Sequence, residues 1–218
     1  MLKAVLFDLD GTLLDTAADF ARVLNSLLAE HQRPLQDYQA VRECVSSGAR
    51  AVLALGFELA PESAEFAALL EEFLDRYAAS LSEQTTLFPG MDQQLRNLEE
   101  RGIAWGIVTN KPSRFTEPLL RQLQLDKRCA TTICPDHVNN RKPHPEPIYL
   151  ACKNLDIRPA EAVYVGDHRR DIDAGRNAGM KTIACRYGYI PSGDNIADWQ
   201  ADAIIDHAEQ LEAALLRF

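Results

Sequence analysis

Short apolar runs alternate with amphipathic segments along most of the chain. Each of five such runs is followed by turn residues and then by apolar positions at helical spacing. Strands that alternate with amphipathic helices indicate βαβ units, and hence a parallel sheet covered by helices on both faces. The pattern therefore predicts a doubly wound α/β fold. The predicted strands are AVLF (4–7), IAWGIV (103–108), TTIC (131–134), AVYV (162–165) and KTIAC (181–185).

The long interval between the first two predicted strands breaks this alternation. It lacks a good strand, and its segments FARVLNSLLAEH, AVLALGF and AEFAALLEEFLDRYAASL place apolar residues at helical spacing. A crossover between parallel strands needs only one helix. The excess is therefore interpreted as a separate helical insertion, with FPG marking the return to the sheet. We expect a core of residues 1–14 and 83–218 and a helical domain at 15–82.

Composition and charge narrow the class of protein. Hydrophobic residues make up 46% and charged residues 25% of the 218 residues, as in soluble globular proteins. A net charge of -9 and the absence of a basic run argue against a nucleic-acid partner. No stretch approaches the roughly 20 apolar residues that span a bilayer. With five cysteines and no CxxC pair, we expect a cytoplasmic protein with no membrane partner.

Polar residues directly follow three of the predicted strands. Asp8 and Asp10 follow the first, Thr109 and Asn110 the second, and Asp167 the fourth. In doubly wound sheets the ligand binds beyond the carboxyl ends of the strands. These side chains are therefore the candidates for chemistry, and an anionic substrate would need additional positive charge near them.

The spacing of Asp8 and Asp10 in FDLDGTLLD suggests a chemical pair. Gly11 permits a tight turn after the strand, so both carboxyl groups can face one pocket. One acid could then attack a substrate while the other transfers protons. The alternative is that both aspartates cap the turn or the following helix, and these two residues alone do not decide between the interpretations.

Asp167 and Asp171 bring further carboxylates to the same edge. Asp171 lies four residues after Asp167, which is about one turn if a helix begins there. Converging carboxylates repel one another, and a hard divalent cation, Mg²⁺ above all, relieves that repulsion and coordinates a phosphate. Separately, the two residues could be a helix cap and a first-turn acid. That alternative does not explain why all these acids coincide at strand ends.

Lys142 is the candidate for the missing positive charge. Pro143 is expected at the first position of a helix, where the ammonium and the free N–H groups would attract phosphate oxygens. The hydroxyl of Thr109 could donate to the same phosphate. The alternatives are a solvated surface lysine and an ordinary threonine at a strand end.

Four segments in order resemble the motifs of the haloacid dehalogenase-like phosphohydrolases: DLDGT (8–12), VTN (108–110), KP (142–143) and GDHRRD (166–171). The resemblance spans residues 4–185. It implies a Rossmann-like core with an inserted helical cap. It also implies that Asp8 is the nucleophile and that Asp10 is the general acid and base.

The same resemblance implies a metal and phosphate site. Mg²⁺ would be held by Asp8, the backbone carbonyl of Asp10 and Asp167, with Asp171 supporting the site. Thr109, Asn110 and Lys142 would bind the phosphoryl oxygens. The implied reaction is hydrolysis of a small phosphate ester through an aspartyl phosphate.

Longer segments are similar to the phosphoglycolate phosphatase group and, within it, to bacterial N-acetylmuramic acid 6-phosphate phosphatases of cell-wall recycling. These segments include VTNKPSRF, ICPDHVNNRKPHPEP and RYGYI. N-acetylmuramic acid 6-phosphate is therefore the expected substrate, and phosphoglycolate is the alternative. Both carry a carboxylate, which Arg50 or Arg114 could bind, although either arginine could instead be a solvated helix-end residue.

Two other classes of protein share parts of this pattern. A phosphoaspartate signalling module also combines a doubly wound fold with an acidic cluster and a lysine, but it needs no helical insertion. A non-catalytic binder of phosphorylated metabolites could retain the motifs without turnover. The intact set of Asp8, Asp10, Lys142 and Asp167 argues against that interpretation.

Overall fold

A computed structural model describes residues 2–218, so Met1 of the expected core segment 1–14 lies outside the described residues. The main sheet contains six strands: β1 (Ala4–Phe7), β4 (Ala104–Val108), β5 (Thr131–Ile133), β6 (Ala162–Gly166), β7 (Lys181–Cys185) and β8 (Ala203–Ile205). They are all parallel, in the order β5-β4-β1-β6-β7-β8. This sheet confirms the predicted doubly wound α/β fold.

Helices cover both faces of the sheet. Alternate residues of β1 enter two different cores, because successive side chains of a strand point to opposite faces. Val5 and Phe7 pack in one core, and Ala4 and Leu6 in the other. The first core also contains residues of α5 (Met91–Glu100), α6 (Ser113–Gln122) and α9 (Leu211–Leu215), and the second contains residues of α7 (Glu146–Asn154) and α8 (Arg169–Asn177).

Besides α5, four helices lie between β1 and β4, the next strand of the main sheet along the chain. They are flanked by two short strands, β2 (Leu14–Asp15) and β3 (Thr86–Leu87), which pair antiparallel. Neither short strand was predicted, because two residues are too few to show an alternating pattern. The helices are α1 (Ala17–Glu30), α2 (Tyr38–Val45), α3 (Ala49–Gly56) and α4 (Ala64–Ala79).

All five predicted strands are present, with ends that differ by at most one residue. The sequence interpretation missed β8, which has only three residues and lies between Asp202 and Asp206. No helix within residues 2–218 is long and apolar enough to cross a membrane.

Candidate active site

A cavity of about 680 Å³ lies at the carboxyl ends of the central strands. Its floor comes from the loops after β1 and β4, and part of its wall comes from α3, α4 and the α2–α3 turn. Parallel strands end at the same edge of a sheet, so residues distant in sequence meet there. Seven residues singled out from the sequence line this cavity: Asp8, Asp10, Arg50, Thr109, Asn110, Arg114 and Lys142.

Asp8, Asp167 and Asp171 form a cluster at the base of this cavity. One carboxylate oxygen of each lies within 4.8 Å of the others. Asp167 and Asp171 are fully buried behind Asp8, which alone of the three lines the cavity. Oδ1 of Asp8 is buried and accepts no hydrogen bond within residues 2–218, where the Lys142 ammonium contacts it only as an ion pair at 2.9 Å. Hard oxygen ligands with an unsatisfied buried atom suit a divalent cation such as Mg²⁺.

Burial and mutual repulsion disfavour the charged forms of this cluster. Burial raises the pKa of Asp8 to about 6, and the negative charge of Asp171 adds to the effect. Burial and the charge of Asp8 raise the pKa of Asp167 to about 8. Without a cation, Asp167 therefore retains a proton at neutral pH.

Asp167 is held from three sides. The hydroxyl of Thr12 donates to Oδ1 over 2.8 Å, and the backbone N–H of Tyr189 donates to Oδ2 over 2.8 Å. The hydroxyl of Ser46, which directly follows α2 of the helical insertion, also donates to Oδ2 over 3.3 Å. A Cβ atom on Gly11, whose φ is +86°, would overlap this carboxylate. Glycine is therefore required beside the acid both for its backbone angle and for space.

Lys142 links the cluster to the strand ends. Its ammonium group donates to Asp171, to the hydroxyl of Tyr164 and to the carbonyl of Val108, each over 2.8 Å. It also lies 2.9 Å from Oδ1 of Asp8 as an ion pair. Burial alone would lower the pKa of Lys142, but the charges of Asp171 and Asp8 raise it well above its ordinary value. Lys142 therefore remains charged and acts on Asp8 mainly through its charge.

The backbone around Lys142 differs from the expected helix start. Residues 141–144 form a turn, in which the N–H of His144 donates to the carbonyl of Arg141 over 3.0 Å. Helix α7 begins only at Glu146. The expectation that Pro143 occupies the first helical position was therefore wrong. Lys142 is placed by its buried oxygen partners rather than by a helix terminus.

Asp10 occupies the cavity floor and is held through a single oxygen. The hydroxyl of Thr16 and the ammonium of Lys111 both donate to its Oδ1, over 2.7 and 3.0 Å. No donor within residues 2–218 pairs with Oδ2. The second oxygen is therefore available to a substrate in the cavity.

The strand-end residues after β4 have different partners. The hydroxyl of Thr109 accepts the N–H of Lys111 over 3.1 Å, which leaves its own proton free to donate to a ligand. The amide of Asn110 donates to the carbonyl of Lys142 over 3.1 Å. Its side-chain oxygen is buried and has no hydrogen-bond partner among residues 2–218. Asn110 thus braces the loop that carries Lys142.

Arg50 and Arg114 both face the cavity but are constrained differently. Arg50 donates to the carbonyl of Pro61 over 2.8 Å and lies over the ring of Phe66, 5.3 Å from the ring centre. Arg114 lies over the ring of Phe115 at 4.5 Å and has no acidic or hydrogen-bonding partner within residues 2–218. Arg114 is therefore the freer of the two to bind a substrate anion.

The cavity is cationic although the whole chain carries a net charge of -9. Two carboxylates line it, against six basic side chains. Sequence reasoning missed three of these cations, Lys111, Arg141 and Arg170. The only signal for Lys111 is its place directly after Asn110 at a strand end. The other two lie beside Lys142 and Asp171 in motifs already quoted.

Comparison with known proteins identifies the family. The model of the haloacid dehalogenase-like hydrolases matches residues 5–185, and the chain belongs to this family. It is 49% identical, over 98% of its length and 96% of the relative, to a Pseudomonas putida protein named N-acetylmuramic acid 6-phosphate phosphatase. It is 44% identical, over 96% and 94%, to a Xanthomonas campestris protein named phosphoglycolate phosphatase. A crystal structure described as a predicted phosphoglycolate phosphatase from Haemophilus somnus has a TM-score of 0.87 at 26% identity and 98% coverage of both chains.

Proposed function

We propose that the protein is a Mg²⁺-dependent phosphomonoesterase that hydrolyses a small phosphorylated metabolite, with N-acetylmuramic acid 6-phosphate as its substrate. The observation that carries the reaction class is Asp8: a carboxylate facing a cationic cavity, with acidic partners behind it and a lysine beside it. Residues 1–14 and 83–218 form the catalytic core in this proposal. Residues 15–82 form the cap that closes over the substrate.

Asp8 supplies the nucleophile. A phosphate ester is anionic and repels a carboxylate, so positive charge must offset that repulsion before the two can approach. Lys142 supplies one such charge 2.9 Å from Asp8. An oxygen of Asp8 then bonds to phosphorus while the bond from phosphorus to the ester oxygen breaks, which leaves an aspartyl phosphate.

Asp10 transfers protons in both halves of the reaction, first as a general acid and then as a general base. In its acid form it donates a proton to the departing alkoxide, which leaves as an alcohol. The resulting carboxylate accepts a proton from the water that hydrolyses the aspartyl phosphate and releases inorganic phosphate. General acid and base assistance of this kind typically contributes ~10² to 10⁴ in rate.

The metal would be held by Asp8, Asp167 and the carbonyl of Asp10, and Asp171 would support them. When bound, Mg²⁺ would neutralise charge on the phosphoryl oxygens and on the acidic cluster. Thr109 would donate its free hydroxyl proton to a phosphoryl oxygen. Asn110 would orient the Lys142 loop through the hydrogen bond to the carbonyl of that lysine.

The size and charge of the cavity favour the amino sugar over the two-carbon alternative. A volume of about 680 Å³ lies within the ~300 to 1,000 Å³ of sites that hold drug-sized ligands. Phosphoglycolate would occupy little of it. N-acetylmuramic acid 6-phosphate carries a hexose, an acetamido group and a lactyl carboxylate, and Arg114 is a free cation for that carboxylate. The relatives named for this activity are 49% identical to the chain.

The test is a comparison of kcat/KM for phosphate release from N-acetylmuramic acid 6-phosphate and from phosphoglycolate in the presence of Mg²⁺. Asp8→Asn provides the background rate. A preference for the amino sugar of 100-fold or more, about 2.7 kcal/mol in transition-state binding, would establish the substrate. The reverse preference would replace it with phosphoglycolate. No phosphate release above the Asp8→Asn background, with any ester, would reject the phosphatase.

A further inference from the structure

The buried lysine Lys111 has no role in the mechanism above. Only 5% of its side chain is exposed, although it follows a strand end that lines the cavity. Its ammonium group donates to Oδ1 of Asp10 over 3.0 Å and to the hydroxyl of Tyr77 over 2.8 Å. Tyr77 belongs to α4 of the helical insertion, so this single side chain joins the core, Asp10 and the insertion.

The surroundings of this ammonium are mainly aromatic. It lies 5.0 Å from the ring centre of Phe20, on α1, and 4.7 Å from that of Tyr77. An ammonium is stable in such a place because hydrogen-bond acceptors and ring faces replace its water shell. Asp10 is the one carboxylate bonded to it within residues 2–218. The hydrogen bond to Asp10 therefore stabilises the buried ammonium group of Lys111.

Both side-chain donors to Asp10 converge on the same oxygen. Thr16 and Lys111 hold Oδ1 from two directions, which fixes the plane of the carboxyl group and directs Oδ2 to the cavity. Proton transfer to a leaving oxygen requires hydrogen-bond reach, and a misplacement of about 1 Å can cost roughly 100-fold in rate. Through its hydrogen bond, Lys111 can therefore control the orientation of the Asp10 carboxyl group.

We propose that Lys111 is a positioning residue that orients the carboxyl group of Asp10 for proton transfer, and that Tyr77 makes this orientation depend on the seating of the cap. This inference rests on the proposed phosphatase activity but not on the identity of its substrate. Lys111 does not touch the reacting atoms. It acts through Asp10, and the cap acts through Lys111.

The loss of Lys111 would affect the reaction rates differently if this lysine had only a structural role. If Lys111 only balanced the charge of the partly buried Asp10, its loss would lower the amount of folded enzyme and reduce the rates with all substrates by one common factor. If Lys111 positions the general acid, its loss must lower the rate most for an ester whose leaving group needs a proton. The dependence of the rate on the leaving group separates the two roles.

The experiment compares two aryl esters, phenyl phosphate and 4-nitrophenyl phosphate, which present nearly the same shape. Phenolate is a poor leaving group that benefits from protonation, whereas 4-nitrophenolate departs as an anion. The measured quantity is kcat/KM, which reports transfer to Asp8 and not the later hydrolysis. The ratio of the two values within one variant also cancels any difference in the fraction folded.

For Lys111→Met we expect kcat/KM for phenyl phosphate to fall roughly 100-fold, and that for 4-nitrophenyl phosphate to fall less than about 10-fold. Lys127→Met, the same change at an exposed lysine, should leave both values at the wild-type level. Equal losses on the two esters in Lys111→Met would overturn the positioning role. Absence of activity in the wild-type protein would instead reject the proposed phosphatase, so the two failures are distinct.

Tyr77→Phe tests the part played by the cap. The change removes the hydroxyl that accepts from Lys111 and keeps the ring that packs on Phe20 at 4.3 Å. We expect the same selective loss on phenyl phosphate, smaller than in Lys111→Met because the bond to Asp10 remains. A wild-type ratio of the two esters in Tyr77→Phe would show that Lys111 orients Asp10 without the cap and would overturn this part of the proposal.

Discussion

Lys142 and Asp8 form an ion pair at the base of the cavity, with the ammonium nitrogen 2.9 Å from Oδ1 of the carboxylate. The same lysine donates to Asp171 over 2.8 Å, so one buried cation pairs with the partly exposed Asp8 and with the fully buried Asp171. Its position explains how an acidic protein can present a cationic site to a phosphate ester. We therefore expect Lys142 to contribute to stability as well as to activity.

Replacing Lys142 with methionine should destabilise the protein and abolish turnover. The loss leaves Asp8 and Asp171 without a counter-charge, and breaking a buried pair typically costs ~3 to 5 kcal/mol. Urea unfolding at pH 7.5 would measure the change in the free energy of unfolding. Lys153→Met, at an exposed position of α7, is the control. A stability equal to that of the control would contradict the importance of the pair.

Asp8→Asn should remove phosphatase activity while leaving the protein folded. The amide has the shape of the carboxylate but cannot form the aspartyl phosphate, and losses of a catalytic nucleophile are on the order of 10⁴-fold or more. Steady-state phosphate release is the measurement, with Asp126→Asn in an exposed turn as the matched control. Robust Mg²⁺-dependent turnover in Asp8→Asn would disprove the nucleophilic role of Asp8.

The metal-free protein should lose stability as the pH rises from 6.5 to 8.5. Burial and the charge of Asp8 raise the pKa of Asp167 to about 8 in the folded state, far above its ordinary value of 3.8. The folded protein then binds more protons than the unfolded chain, so its stability falls as the pH rises through the folded pKa. The expected loss over this interval is about 1 to 2 kcal/mol.

Thermal or urea unfolding in a chelator would measure this decline, and Asp167→Asn should flatten it. The interval begins at pH 6.5 because His168 acts in the opposite direction below it. Burial and the charge of Arg170 lower the pKa of His168 to about 4, so that its neutral form contributes stability that is lost as the pH falls. Added Mg²⁺ should stabilise the protein more at pH 8.5 than at pH 6.5. A pH-independent effect of Mg²⁺ would contradict its binding to this cluster.

Arg114→Gln should weaken binding of a substrate carboxylate. A charge-assisted hydrogen bond contributes about 1.5 to 3 kcal/mol, so we expect KM for N-acetylmuramic acid 6-phosphate to rise roughly 10- to 100-fold. KM for 4-nitrophenyl phosphate, which has no carboxylate, should stay near the wild-type value. Equal increases in KM for both esters would show that Arg114 does not bind the substrate carboxylate.

Arg50→Gln is expected to act mainly on the stability of the insertion. Its guanidinium already donates to the carbonyl of Pro61 and lies over Phe66, and it is exposed, so the loss should be about 1 kcal/mol. Urea unfolding would measure it beside Arg114→Gln. If KM instead rises for N-acetylmuramic acid 6-phosphate alone, the carboxylate-binding residue is Arg50 rather than Arg114.

Much of the fold was predictable from local pattern. A buried parallel strand is read as a short apolar run, and all five predicted runs are strands of the sheet. The acids after β1 and β6 lie at one edge because parallel strands end on the same side. Two-residue β2 and β3 and three-residue β8 were missed, since so few residues carry no recognisable period.

The partners of the site residues depended on packing between distant segments. The sequence showed Lys142 as one lysine before a proline, and nothing nearby indicates that it bonds to Asp171, 29 residues later. The interpretation of Pro143 as a helix start failed for the same reason, because buried oxygens and not local propensity place this loop. Lys111 and Tyr77, 34 residues apart, were not connected at all.

The sequence by itself determined the fold class, the family and the acids at the strand ends, because strand periodicity and motif order are local properties of the chain. Only the tertiary structure decided which charges are buried together, which arginine is left without a partner, and how the helical insertion reaches Asp10. These contacts depend on which side chains are buried together and lose their water. That burial is set by elements that are distant in sequence and meet only in the folded protein.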